Sequence, residues 1–242
     1  GQGVSHNRMW SATRRRESIF GDFLFAFHPD YAGTPSWYSS DQPYHIEGGD
    51  ILVLSAECVG IGISERTQAA GIDALAKRLL WAEPDSGVRR VLAFSLPHKR
   101  SFMHLDTVFT QADVDIFTVH PAILGTLTVF ELTRGARVGE VSIRQLDQTL
   151  DAILARALGL DGVRLIKCGG DDAIAAAREQ WNDGSNTLAV RPGTVMVYQR
   201  NAVTNDILCR EGLNLLEVPS AELSRGRGGP HCMSMAFWRE DL

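Results

Sequence analysis

Ile51-Leu52-Val53-Leu54-Ser55-Ala56-Glu57-Cys58-Val59-Gly60-Ile61-Gly62-Ile63 holds two short β-rich runs, Ile51 to Leu54 and Val59 to Ile63, around the tight turn Ser55-Ala56-Glu57. Strands joined by so short a turn must be antiparallel neighbours. Thr67 to Trp81 follows with apolar residues at helical spacing, and Val91 to Leu96 is β-rich again. The stretch predicts a unit of two strands, a helix and a third strand.

The same order recurs twice. Met103 to Phe109 and Ile116 to Val119 predict strands, followed by a longer connection, a helix from about Ile143 to Leu158 and a strand at Val163 to Cys168. A third unit comprises Thr187 to Val190, the turn Arg191-Pro192-Gly193, Val195 to Tyr198, a helix near Thr204 to Glu211, and Leu213 to Val218. Glu47-Gly48-Gly49-Asp50 and Cys168-Gly169-Gly170-Asp171 flank strands as turn signals between units. Repeated ββαβ units that cannot bury their apolar faces alone suggest modules around a shared axis. A doubly wound sheet is the alternative, and the predicted hairpins count against it.

At 242 residues and 44% apolar content, the chain can bury the core of one large domain or two small ones. Its formal net charge is -5 with acids and bases interspersed, which excludes a basic face for nucleic acid and a polybasic arm for a membrane. Small soluble ligands are favoured. Apolar runs such as Val91 to Leu96 fall far short of the roughly 20 residues of a membrane-spanning helix, and no signal peptide is visible. Cys58, Cys168, Cys209 and Cys232 form no CxxC pair and no zinc-like spacing with the seven histidines, as expected of reduced cytoplasmic thiols without metal.

Cys232 is the candidate nucleophile. It lies in Arg225-Gly226-Arg227-Gly228-Gly229-Pro230-His231-Cys232-Met233-Ser234-Met235, where glycines let backbone close around a ligand and the nearby cations Arg225, Arg227 and His231 would draw the thiol below its ordinary pKa of about 8.5. Most free cysteines are buried core thiols, and Cys58, Cys168 and Cys209 are read that way. In the predicted strand Met103 to Phe109, His104 and Asp106 share one face by period 2, open to a cavity or to solvent. Glu47 precedes two glycines that allow close approach of backbone or substrate, or is simply a turn carboxylate. Arg14, Arg66 and Arg227 offer planar guanidinium groups suited to bidentate binding of a carboxylate, although any one alone reads equally as a surface charge.

The cysteine loop, Phe102-Met103-His104-Leu105-Asp106-Thr107-Val108-Phe109 and Glu47-Gly48-Gly49-Asp50 resemble, in that order, three signatures of the arginine deiminases. Arg178 to Thr187 and Tyr198 to Asn205 resemble the same family; from the residues alone they are helix end, turn and helix-cap chemistry, with no catalytic role assigned. The resemblance implies a pentein fold, a five-module α/β propeller with its active site on the axis. It implies hydrolysis of L-arginine to L-citrulline and ammonia without cofactor: Cys232 as nucleophile, His104 as general acid and base, Asp106 and Glu47 holding the guanidinium, and Arg14, Arg66 and Arg227 holding the α-carboxylate. Other guanidine-modifying enzymes (an agmatine deiminase, a dimethylarginine hydrolase, an amidinotransferase) and an inactive guanidine-binding fragment are the alternatives. One departure is Ala236, where the family usually has proline. The chain opens on Gly1-Gln2-Gly3-Val4, and nothing in it matches the family's upstream Phe-Thr-Arg-Asp motif. Residues 1–242 are therefore expected to be the C-terminal part of a single, incomplete pentein catalytic domain, partnered by its missing N-terminal segment and by further copies in a homo-oligomer.

Overall fold

The computed structural model describes residues 3–82, 86–226 and 228–240. Two compact units divide the chain. The first takes the described residues of Gly1–Ser95, Val129–Leu146 and Ala236–Leu242, and the second takes Leu96–Thr128 and Asp147–Met235.

In the first unit, β1 (Val4–Ser5), helix α1 (Ser18–Phe27) and β2 (Ser36–Tyr38) form a short parallel βαβ piece. No residue of α1 is buried, and Ile19, Phe20, Phe23 and Phe27 are exposed along it. The hairpin expected at Ile51 forms as β3 (Ile51–Ser55) and β4 (Cys58–Ile63), antiparallel. Helix α2 (Ala69–Lys77), extended by a π-helical turn at Arg78–Ala82, crosses over to β5 (Arg90–Ser95), which pairs parallel with β4. Strand β3 alternates, with Leu52 and Leu54 buried and Val53 exposed, whereas β4 is buried from Cys58 to Gly62 as its central place requires. Gly60 leaves room for Phe94 and Leu54, which would lie 3.0 and 3.2 Å from an added Cβ. Helix α2 turns Gly71, Ile72, Leu75 and Ala76 inward, an i, i+1, i+4, i+5 stripe onto a core containing Val59, Ile61, Val91 and Ala93.

The second unit repeats this pattern twice. Strands β6 (Phe109–Gln111) and β7 (Ile116–Val119) are antiparallel. The hairpin that follows in the chain, β8 (Thr128–Arg134) and β9 (Val141–Leu146), belongs to the first unit, whose sheet has five strands in the order β3-β4-β5-β8-β9. Helix α3 (Leu150–Leu158) stops at Gly159 with φ +69°, and β10 (Arg164–Lys167) pairs parallel with β7. After α4 (Ala173–Trp181), capped by the Asp172 carboxylate on the N–H groups of Ile174 and Ala175, come β11 (Leu188–Arg191) and β12 (Thr194–Tyr198), antiparallel around Gly193 with φ +69°. Helix α5 (Ala202–Arg210) then leads to β13 (Asn214–Val218), parallel to β12. Ile116, Ile166, Val195, Val197, Leu208 and Leu213 share the core beneath these elements.

All three predicted modules therefore form, each as a hairpin whose inner strand gains a parallel neighbour through a crossover helix. Two local expectations fail. Ile143 belongs to β9 and the helix begins only at Leu150, because every residue of Val141–Leu146 pairs with β8. Met103 to Phe109 is not a strand: 3-10 turns at Arg100–Phe102 and Leu105–Thr107 precede a strand starting at Phe109. The Thr107 hydroxyl and N–H both bond the His104 carbonyl, at 2.7 and 3.2 Å, and this local closure displaces the extended conformation. Among the described residues no helix is long and apolar enough to cross a membrane. The four cysteines are free; Cys58 and Cys168 are buried, but Cys209, expected in the core, is exposed on α5.

Candidate active site

In the second unit, the Leu105–Thr107 turn buries Asp106 completely. Its Oδ2 lies 3.3 Å from Cys232 Sγ and 3.1 Å from His231 Nδ1. Its Oδ1 is buried and has no hydrogen-bond partner. A buried acceptor left open is costly unless a donor arrives.

Cys232 is exposed as a residue, yet its sulfur turns inward to this carboxylate. Burial of the sulfur first, and the charge of Asp106 second, push the thiol far above its ordinary range, offset in part by the Gly229 backbone N–H. The sequence implied the reverse, a thiol drawn down by nearby cations. The structure corrects it: exposed Arg225 pairs with Glu222 at 3.3 Å, and His231 faces Asp106. Arg227 lies outside the described residues.

The cysteine loop is held by a turn that sequence reasoning left without a role. Gly228 N–H donates to Asp183 Oδ2 at 3.3 Å, and Cys232 N–H donates to Asn186 Oδ1 at 3.0 Å. The Tyr198 hydroxyl donates to the Gly228 carbonyl at 2.8 Å. Asp183 has φ +61° and Gly228 φ +115°, so both loops bend in the left-handed region where they meet. The available signal was the motif-like run Asn182-Asp183-Gly184-Ser185-Asn186, whose residue types tolerate that backbone. His104, two residues before Asp106, is half-buried and caps the turn through its carbonyl.

In the first unit Glu47, 1% exposed, gathers the other named residues. Its Oε1 accepts the Trp10 N–H at 3.0 Å, and its Oε2 accepts from Arg14 Nη1 at 3.1 Å with Arg66 Nη1 at 3.7 Å. The Arg14 guanidinium also grips Glu17 with Nε and Nη2, at 3.0 and 2.9 Å. Arg66 lies 4.7 Å over the Trp10 ring, and its Nε is buried without a partner. The Ser64 hydroxyl donates to buried Asp50 at 2.6 Å and accepts the N–H groups of Arg66 and Thr67, while the Thr67 hydroxyl takes the Glu47 N–H at 3.0 Å. Asp50 thus supports the turns that carry Glu47 and Arg66.

A solved structure with the same fold is the N-terminal domain of ArgZ, an arginine dihydrolase of the cyanobacterial ornithine-ammonia cycle (TM-score 0.64, 18% identity, covering 96% of this chain and 69% of that one). The dimethylarginine dimethylaminohydrolase of Pseudomonas aeruginosa, solved with citrulline, is another (TM-score 0.62, 17% identity, 96% and 70% covered). Both are pentein-type enzymes, and the fold of this chain is accordingly the α/β pentein type. Curated relatives include the arginine deiminases of Treponema denticola, 54% identical over 243 residues, and of Clostridium perfringens, 52% over 246 residues. Each match covers the whole of this chain, which spans 59% of the length of either relative. The arginine deiminase family model matches residues 1–239. With its three ββαβ modules and its Cys232–Asp106 pair, the chain belongs to the arginine deiminase family.

Proposed function

We propose that this chain carries the catalytic cysteine of an arginine deiminase, hydrolysing L-arginine to L-citrulline and ammonia. One observation carries the reading: a cysteine sulfur 3.3 Å from a buried carboxylate whose second oxygen has no partner. Such a pair suits an electrophile that is itself a cation with N–H donors. A guanidinium would give Asp106 Oδ1 the donor it lacks and neutralise the charge that holds the thiol protonated. The thiolate would then form only once substrate is bound, which protects the cysteine from adventitious electrophiles.

The steps follow. Cys232 attacks the guanidinium carbon, and the C–S bond forms as the central carbon becomes tetrahedral. His104 protonates the departing nitrogen, the C–N bond breaks, ammonia leaves and a thiouronium remains on Cys232. Water then adds with its proton passing to His104, the C–S bond breaks, and citrulline and thiol are regenerated. His231 on Asp106 Oδ2 keeps the carboxylate turned toward the sulfur. Within this reading Glu47 is a guanidinium ligand, and Arg14, Arg66 and Arg227 hold the substrate carboxylate. The buried, unpartnered Nε of Arg66 supports its part. The protein is taken as cytoplasmic and homo-oligomeric.

The test is citrulline and ammonia release from L-arginine by this chain, alone and with the segment that makes up the relatives' remaining length. Release in either sample that disappears in Cys232→Ala is expected. Silence in both samples with the fold intact, or full turnover by Cys232→Ala, overturns the proposal.

A further inference from the structure

We infer that Asn186 is the positioning residue of the nucleophile: its side-chain amide ties the Cys232 backbone to the Asp106 backbone and so sets the spacing of thiol and carboxylate. The inference rests on the reading of Cys232 and Asp106 given above. Asn186 is fully buried. Its Oδ1 accepts the Cys232 N–H at 3.0 Å, and its Nδ2 donates to the Asp106 carbonyl at 2.8 Å. An N–H on one side and a C=O on the other dictate which way the amide points. The two residues it joins are 126 positions apart in the chain, so no local geometry holds them together.

The pin has little slack. A Cβ added to Gly229 would lie 2.4 Å from Asn186 Oδ1, 2.7 Å from its Cβ and 2.8 Å from its Cγ. Glycine is therefore required where the cysteine loop crosses the amide. On the backbone side, the Ser185 carbonyl takes the hydroxyls of Thr110 and Thr118 at 2.7 and 3.0 Å, and the Thr187 hydroxyl pairs with Thr110 at 2.8 Å. Thr110 and Thr118, both buried, stand on β6 and β7, so the residues on both sides of Asn186 are anchored to paired strands. An amide of this length alone serves both partners. Aspartate would set an oxygen against the Asp106 carbonyl, leucine fills the space without either bond, and the extra methylene of glutamine has no room beside Gly229.

The test needs no substrate, so its failure is distinguishable from failure of the deiminase reading. In a Cys209→Ser background, which removes the exposed thiol on α5, the rate of Cys232 alkylation by iodoacetamide is followed by mass spectrometry from neutral to alkaline pH. The parent is expected to react slowly at neutral pH. Asn186→Leu should free the loop from Asp106 and shift the profile toward that of an ordinary thiol, about tenfold faster at neutral pH for each unit of fall. Gly229→Ala, which wedges the amide from outside, should move it the same way. Folded variants with the parental profile overturn the inference. Should both variants fail to fold, hydrogen exchange in the parent decides: a protected Cys232 amide supports the pin, and exchange at the rate of an open loop overturns it.

Discussion

Glu179 Oε2 accepts both the backbone N–H and the hydroxyl of Thr204, at 2.8 and 2.6 Å, so a residue of α4 caps the start of α5. The Val203 N–H reaches Oε1 at 2.9 Å, and Asn201 at the N-cap position supplies no side-chain cap of its own. A carboxylate at a helix N-terminus meets both the orphan N–H groups and the positive end of the dipole. Because Glu179 is fully buried, its removal leaves those donors dry. Glu179→Ala is expected to lower stability by about 3 kcal/mol, and Glu179→Gln, which keeps acceptor capacity, by about 1 to 2 kcal/mol. Urea unfolding of both variants checks the order.

That cap shows why the modules were legible in the sequence and the grip on the cysteine was not. Hairpin, helix and parallel strand each leave a periodic or turn signal within a few residues, as Ile51–Ser55 and Cys58–Ile63 do. Asn186 and Cys232 meet across 46 positions, and Glu179 and Thr204 across 25. Such pairings have no period to read. The His104–Asp106 segment misled for the opposite reason: its alternation is that of a strand, but the Thr107 hydroxyl closes a local turn on the His104 carbonyl. Composition near Cys232 misled too, because an acid from a distant turn reaches the sulfur, while Arg225 pairs with Glu222 and His231 with that same acid.

Gly169 should not tolerate a side chain. It has φ +71°, and an added Cβ would lie 2.3 Å from the Ala176 N and Cα atoms, backbone that cannot turn aside. Its N–H also donates to the Thr204 hydroxyl at 2.9 Å, joining the Glu179 network. Gly169→Ala is expected to destabilise by about 3 kcal/mol or more, whereas Gly159→Ala, with nothing within 4 Å of its added Cβ, should lose only the left-handed preference, about 1 kcal/mol. Thermal unfolding of the pair separates collision from backbone strain.

The buried thiols give stability an alkaline limit. Burial pushes Cys58 up to about 12, with Arg90 lowering it and Glu131 raising it further. Unfolded, the same thiol titrates near 8.5. A group whose folded pKa is raised stabilises fully below its unfolded value, and that contribution is lost as pH rises through the folded value. Stability should fall by about 1.4 kcal/mol per pH unit for this group between about pH 8.5 and pH 12. Cys58→Ala is expected to start lower at neutral pH, from the cavity, but to decline less steeply, in denaturant titrations at about pH 8 and about pH 10.

Asp106→Asn separates thiol reactivity from turnover. After burial, the Asp106 charge is the next cause of the raised Cys232 thiol, so the neutral amide should lower the thiol pKa while burial keeps it above the ordinary value. Alkylation at neutral pH is therefore expected to speed up. Deimination should fall by a factor of about 100 or more, because the guanidinium loses a charged ligand worth about 3 kcal/mol. A variant with slower alkylation would mean that the carboxylate favours thiolate, contrary to the geometry.

Under the proposed function, the arginines on Glu47 are expected to decide between guanidine substrates. Arg14 is held by Glu17 and Glu47 together, whereas Arg66 has a buried Nε without a partner and rests on Trp10. Arg66 is thus the better placed to take a substrate carboxylate, and its loss should be felt only by substrates that have one. In the complemented protein, Arg66→Ala is expected to raise KM for L-arginine by about tenfold to a hundredfold, the equivalent of one or two charge-assisted hydrogen bonds. Agmatine has the same guanidinium and no carboxylate, and its turnover, however weak, should be unchanged. Loss of agmatine turnover in the same variant would show that Arg66 acts through Glu47 rather than on the carboxylate, and would move the specificity of this site away from L-arginine. Arg14→Ala, at a residue assigned to the same carboxylate, should also raise KM for L-arginine, but with a loss of stability beside it, because its guanidinium bridges Glu17 and buried Glu47.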